Sequence, residues 1–103
     1  MSVVNVNVNN FESEIKNSKK PVLLDFYANW CAPCRMIAPF VEEIAEENPD
    51  ILVGKVNVDE SLELARAFGV VSIPLLVVLR DGEVVEKAVG ARGKREILEL
   101  LGK

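Results

Sequence analysis

An α/β domain built on a mixed sheet is the fold class this chain predicts, and three observations carry it. Apolar runs of strand length alternate with amphipathic helical stretches through the first half, the pattern of parallel strands joined by crossover helices. Two further strand runs, Leu75 to Arg80 and Glu83 to Val89, are separated only by Asp81-Gly82, a tight-hairpin pair that adds an antiparallel edge. The 103 residues, half of them apolar, suffice for one domain (residues 1–103) with its own core, and no repeat, linker or low-complexity stretch marks a second.

Each element has its own local reason. Val3-Val4-Asn5-Val6-Asn7-Val8 approaches strict alternation and predicts a half-buried strand at the periphery. Asn9 or Asn10 is placed to cap a short helix through Lys16. Val22 to Tyr27 is nearly continuous apolar, as a strand covered on both faces should be. The next helix runs from the cysteine motif to about Asn48. Pro33 suits its first turn, whereas Pro39 falls in the interior, where a missing N–H and a ring clash predict a bend. Ile51 to Val58 reads as a third strand, and Asp59 is placed to cap a helix over Glu60 to Phe68 that Gly69 stops. After the hairpin, Lys94 to Leu101 closes the chain as an amphipathic helix.

Charge and hydropathy exclude several function classes. The formal charge is −4, with acidic residues spread through helical segments such as Glu42-Glu43-Ile44-Ala45-Glu46-Glu47. Basic residues are scattered, with short pairs at Lys19-Lys20 and Lys94-Arg95, so no basic patch calls for a nucleic-acid partner. No apolar run approaches membrane-spanning length, and Met1-Ser2-Val3-Val4-Asn5 lacks the basic segment and apolar stretch of a signal peptide. A cytoplasmic protein without membrane attachment is expected.

The chain has two cysteines, and both lie in Trp30-Cys31-Ala32-Pro33-Cys34, where a strand pattern gives way to a helix pattern. Within a helix the i and i+3 Cβ atoms are roughly 5–6 Å apart, whereas a disulfide needs about 3.5–4.5 Å. With Cys31 at a non-helical N-cap, the two sulfurs can approach and bond. The same location aims free backbone N–H groups and the positive end of the helix dipole at the Cys31 sulfur, which favours thiolate over thiol. A thiolate with a partner in reach is a redox couple. A static cross-link over so short a loop would remove little unfolded-state entropy. A zinc site needs more ligands than one chain without His offers, and only a dimer sharing four thiolates would supply them. In a reducing compartment structural disulfides are rare, so the pair reads as catalytic, and no metal is expected.

Over essentially its whole length the sequence resembles the thioredoxin family. The resemblance rests on the order of elements and on Asp25-Phe26-Tyr27-Ala28-Asn29-Trp30-Cys31-Ala32-Pro33-Cys34-Arg35, then Ala38-Pro39, Lys55-Val56-Asn57-Val58-Asp59, Ser72-Ile73-Pro74 and Val89-Gly90-Ala91. It implies the thioredoxin fold, a central mixed five-stranded sheet flanked by four helices, with a cis bond between Ile73 and Pro74. It also implies a general protein-disulfide reductase: Cys31 attacks a client disulfide, Cys34 resolves the mixed disulfide, and a thioredoxin reductase using NADPH and flavin recharges the chain. The chain itself binds no cofactor on this reading, its partners are that reductase and disulfide-containing client proteins, and a monomer is expected. A thiol oxidase or disulfide isomerase is the alternative within catalysis. A non-redox binding module of the same fold is the alternative outside it. The absence of His between the cysteines points to a reducing couple, and retention of both thiols points to redox chemistry.

Asp25, inside the apolar run, would be desolvated, with a raised pKa that lets it accept a proton near neutral pH; a strand-end or purely structural carboxylate is the other reading. The family resemblance places this aspartate behind Cys34 and gives Lys55 the role of modulating it, beside the plainer reading of a snorkelling lysine. The same resemblance groups Trp30, Ala32, Pro33, Val71, Ile73, Pro74, Gly90 and Ala91 into a weakly polar docking patch on which an extended client segment pairs with the Ile73 backbone. Strand initiation at Ile73-Pro74 and a turn at Gly90 are the simpler alternatives. Three residues depart from the family pattern: Ala32 where Gly is usual, Tyr27 where many relatives carry Trp, and Leu75 where Thr is common. They bear on partner preference more than on chemistry.

Overall fold

The apolar run Val22–Tyr27 takes the central position of a five-stranded sheet, where a strand is covered on both faces. The computed structural model describes residues 3–103; Met1 and Ser2, the start of the stretch read as free of a signal peptide, lie outside them. Its strands are β1 (Val3–Asn5), β2 (Val22–Tyr27), β3 (Leu52–Asn57), β4 (Leu75–Arg80) and β5 (Glu83–Val89), ordered β1-β3-β2-β4-β5 across the sheet. β3 pairs parallel with both β1 and β2, while β4 pairs antiparallel with β2 and β5. Crossover helices account for the parallel half and the two-residue turn for the antiparallel half, so the mixed sheet follows from connection length.

Alternation along β2 divides the core into two layers. Leu23 packs with Ile37, Val41 and Ile44 of α1 (Ala32–Glu47) and with Ile97 of α3 (Lys94–Leu100). Val22, Leu24 and Phe26 face the other way, onto Ile15 of a short π-helical segment (Phe11–Lys16) and Leu64 of α2 (Leu62–Ala67). Four helical segments thus flank the sheet, two on each face. Asp25 falls on the Leu23 side by the two-residue period, beneath α1.

Three local expectations are corrected. Neither Asn9 nor Asn10 caps the first helix through its side chain: Asn7 Oδ1 accepts the N–H groups of Asn9 (2.8 Å) and Asn10 (3.2 Å), and Asn10 Oδ1 accepts that of Asn7 (2.8 Å). These side chain to backbone bonds turn the chain, so β1 ends at Asn5 and does not reach Val8, although Val6 N–H still donates to the Lys55 carbonyl at 2.8 Å. Similarly, Asp59 does not cap the following helix. Asn57 Oδ1 takes the N–H groups of Asp59 and Glu60, and α2 begins only at Leu62. Its end is as expected: Gly69 has φ +65°, and Gly69 and Val70 donate back to Arg66 and Ala65, closing a Schellman turn. α1 runs through Pro39 as one helix, with the Arg35 carbonyl deprived of its usual i+4 donor.

The β4–β5 hairpin matches its expected boundaries. Asp81 (φ +54°) and Gly82 (φ +79°) are both left-handed, the pairing that a type I′ turn requires. Gly82 has a second reason to lack a side chain, because a Cβ there would lie 2.9 Å from the Lys16 carbonyl oxygen. Gly82→Ala therefore combines backbone strain with a backbone clash and should cost about 1–3 kcal/mol. The check is a urea unfolding curve with a lower midpoint and unchanged slope. An unshifted midpoint would mean that the turn moves away from the π-helical segment at no cost.

Candidate active site

Cys31 is the N-cap of α1, with extended backbone (φ −91°, ψ 107°), and its sulfur accepts the N–H of Cys34 at 3.2 Å. A helix begins here because Pro33 supplies a preset φ and lacks an N–H in the first turn, where that N–H would be unpaired anyway. Cys31 and Cys34 are joined by a disulfide, with Cα atoms 5.3 Å apart. Ala32, the first residue of α1, has none of the positive φ that would demand glycine, so its methyl group is accommodated without strain.

Exposure does not separate the two sulfurs. Cys31 is 4% exposed and Cys34 3% in the disulfide form. Both pack with Ala28 and beneath Tyr27, Val58 and Ile73. What distinguishes them is their surroundings. The Cys31 sulfur sits at the helix start, 3.9 Å from the Ile73 carbonyl oxygen, at the peptide that the cis bond joins to Pro74. Cys34 instead borders a cavity of about 130 Å³ that Asp25, Lys55, Tyr27 and Ala38 also line.

Asp25 is 1% exposed, and no group among the described residues donates a hydrogen bond to either carboxylate oxygen. Burial pushes its pKa from an ordinary 3.8 up to about 6, and the Lys55 ammonium opposes part of that rise. Lys55 stands opposite Asp25 in the β2–β3 register, and its Nζ lies 4.5 Å from the centre of the Tyr27 ring. Lys55 is therefore held beside the carboxylate by register and by a cation–π contact.

Of the expected docking residues, Ile73 packs against the two sulfurs. Trp30, 69% exposed, and Val71, 95% exposed, border a groove of about 280 Å³ with Ile73. Pro74 is buried, Gly90 (φ +99°) donates its N–H to the Pro74 carbonyl at 2.8 Å, and the exposed Ala91 borders a separate cavity with Met36 and Phe40. Ala32 and Pro33 are exposed beside the disulfide. Among the described residues, no group of three or more His, Cys, Asp or Glu side chains could hold a metal ion, and no helix is long and apolar enough to cross a membrane.

The thioredoxin family model matches residues 2–103. A thioredoxin of Mycobacterium tuberculosis (strain ATCC 25618 / H37Rv) is 50% identical over 92 residues, which cover 88% of this chain and 79% of that protein. A thioredoxin of Bacillus subtilis (strain 168) is 47% identical over 104 aligned positions, covering 100% of this chain and 98% of its own length. The chain belongs to the thioredoxin family. A bifunctional thioredoxin reductase/thioredoxin of Mycobacterium leprae (strain TN) is also 47% identical over 89 residues, covering 85% of this chain and 19% of that protein. Within this family the Cys31–Cys34 pair supports dithiol–disulfide exchange, and the chain is an oxidoreductase.

Sequence reasoning missed Asp59, whose Oδ2 accepts the Trp30 indole N–H at 2.8 Å and so fixes the ring beside the thioredoxin disulfide. It also missed the cavity formed by Met36, Phe40 and Arg92. Neither has a local signal, since Trp30 and Asp59 are 29 residues apart.

The raised pKa of Asp25 has a definite sign for stability. Well below pH 3.8 the carboxyl is neutral folded or unfolded and contributes nothing. As pH rises from 3.8 to about 6 the unfolded carboxyl ionises while the buried one keeps its proton, so the fold weakens progressively, and above that the full penalty, about 3 kcal/mol, is present. Asp25→Asn should therefore raise the stability of the oxidised protein at pH 7 by about 1–3 kcal/mol, the lower figure allowing for the buried amide. The gain should fade as the pH is lowered toward 4, as read by chemical unfolding at several pH values. A variant less stable than the parent at pH 7, or a gain independent of pH, would contradict a desolvated carboxylate.

Proposed function

We propose that the chain is a general protein-disulfide reductase, one cytoplasmic domain working as an electron carrier between a thioredoxin reductase and disulfide-containing clients. The observation that carries this reading is the placement of Cys31 as the N-cap of α1 with Cys34 in bonding reach. In the reduced form the Cys31 thiolate, stabilised by the helix dipole and the Cys34 N–H, attacks one sulfur of a client disulfide. The client S–S bond breaks, a Cys31–client disulfide forms, and the other client sulfur leaves as thiolate. Cys34 then attacks Cys31, which releases the second client thiolate and re-forms the Cys31–Cys34 disulfide. Two electrons have passed from the chain to the client.

Asp25 is the proton acceptor for Cys34 on this reading. A carboxyl with a pKa of about 6 is mostly ionised near neutral pH yet basic enough to take a proton, and the shared cavity is wide enough to admit water as a relay. Lys55 keeps the carboxylate from rising further and biases it toward the ionised form. Trp30, Ala32, Pro33, Val71, Ile73, Pro74, Gly90 and Ala91 form the client platform: small or apolar groups let a client backbone approach, and the Ile73 peptide precedes β4, outside the sheet ladder, where it can pair with an extended segment. A thioredoxin reductase as electron source is supported by the Mycobacterium leprae relative, a bifunctional thioredoxin reductase/thioredoxin.

The division of labour is tested by trapping. Cys34→Ser should still attack client disulfides but hold them as Cys31 adducts, visible on non-reducing gels and released by dithiothreitol. Cys31→Ser should abolish reduction of protein disulfides and trap far less. Equal trapping by both variants would remove the basis for naming Cys31 the attacker.

A further inference from the structure

The chain is net acidic, at −4, but the surroundings of its disulfide are not. α1 has no acidic residue in its first turn and no basic residue in its last, the reverse of what the helix dipole favours. Its glutamates, Glu42, Glu43, Glu46 and Glu47, lie roughly 16–24 Å along the axis from Cys31 at the usual rise per residue. Arg35 shares the Cys34 cavity, Arg66 shares the groove of Trp30 and Ile73, and Arg92 shares a cavity with Met36 and Ile37, which follow Cys34 on α1; among the described residues none of the three is paired with a carboxylate. Asp59, which accepts the Trp30 indole N–H, is the carboxylate that shares the groove with Arg66, so the three arginines make this face less acidic than the molecule as a whole.

Arg92 is the most constrained of the three for recognition. It follows Gly90-Ala91, where the Gly90 N–H is anchored on the Pro74 carbonyl, and its Nη2 donates to the Val89 carbonyl at 3.0 Å, which holds the guanidinium in place. Its Nε is buried and has no partner among the described residues, which leaves Nη1 as the nitrogen free to meet a ligand. The side chain borders a cavity of about 310 Å³ whose other walls are Met36, Ile37, Phe40, Ala91 and Gly93. A fixed guanidinium over an apolar floor fits a carboxylate on an aliphatic stem, which is a glutamate side chain.

We infer that Arg92 is a specificity-determining residue of the exchange reaction, favouring clients that carry a glutamate beside the attacked cysteine on the segment crossing Ala91. The inference rests on the reductase reading above. A rim charge acts on encounter and orientation, so the effect is a rate preference of modest size that salt erodes.

The test uses three disulfide peptides identical except for Glu, Gln or Lys next to the cysteine, with single-turnover rates of the reduced protein followed through Trp30 fluorescence and by thiol release. The Glu peptide should react about twofold to fivefold faster than the Lys peptide at low salt. The preference should shrink toward unity near 1 M salt, where the screening length is about 3 Å. Arg92→Lys should keep the order, Arg92→Gln should flatten it, and Arg92→Glu should reverse it, each read as a ratio of peptides within one variant so that general loss of activity cancels. No preference in the parent protein, or the same preference in Arg92→Glu, would overturn the inference while leaving the reductase reading intact. Failure of the parent to reduce any of the peptides would overturn that reading and the inference with it.

Discussion

The site depends on one junction, where the central strand β2 delivers the chain to the N-terminus of α1 with Cys31 as its cap. At that position a sulfur takes the place of the oxygen that usually satisfies the first free N–H groups of a helix, and Cys34 N–H donates to it at 3.2 Å. Removing the junction would leave two ordinary thiols. The rest of the fold holds it still: β2 is flanked by β3 and β4, and α1 is pinned on the sheet by Ile37, Val41 and Ile44, all essentially buried. An ion-pair clip from Lys94 to Glu43 and Glu47 ties α3 to the far end of α1, though such exposed pairs contribute little beside the apolar packing.

Stability and chemistry pull against each other at Asp25. The position lies on the Leu23 side of β2, where every neighbouring demand is for an apolar group, yet it carries a carboxylate with no hydrogen-bond donor among the described residues. A domain of this size has a net stability of about 5–15 kcal/mol, so an unrelieved buried charge is a large fraction of it. Lys55 and the small cavity temper that strain without removing it, because the ammonium also engages the Tyr27 ring and remains partly exposed. Relieving it would remove the proton acceptor that the proposed mechanism assigns to Cys34.

Much of the fold was legible because its signals are local. Asp81-Gly82 sets both ends of the hairpin through turn chemistry, Gly69 ends α2 through a left-handed backbone, and unbroken hydrophobicity places Val22–Tyr27 at the centre of the sheet. Asn7 was harder to read, because several asparagines compete to bond the same few N–H groups and spacing alone does not choose among them. Asp59 has the look of a helix cap in its own segment, and only the tertiary fold gives its carboxylate to the Trp30 indole. The near-equal burial of the two sulfurs was likewise hidden, since Tyr27, Val58 and Ile73 cover them from three separate stretches of chain. What the sequence could show was which chemistry stands at the helix start; which side chains enclose it is decided by packing.

The most direct test of the claim that helix position makes Cys31 the working nucleophile is the pH dependence of alkylation of the fully reduced protein, with each modified cysteine located by mass mapping. A free thiol titrates near pH 8.5 and the thiolate alone reacts, so the rate at each site reports its ionisation. Cys31 should react first and follow an apparent pKa clearly below about 8.5, while Cys34 stays largely unmodified at neutral pH. Equal rates at the two sites with ordinary thiol titrations, or modification of Cys34 ahead of Cys31, would contradict the account.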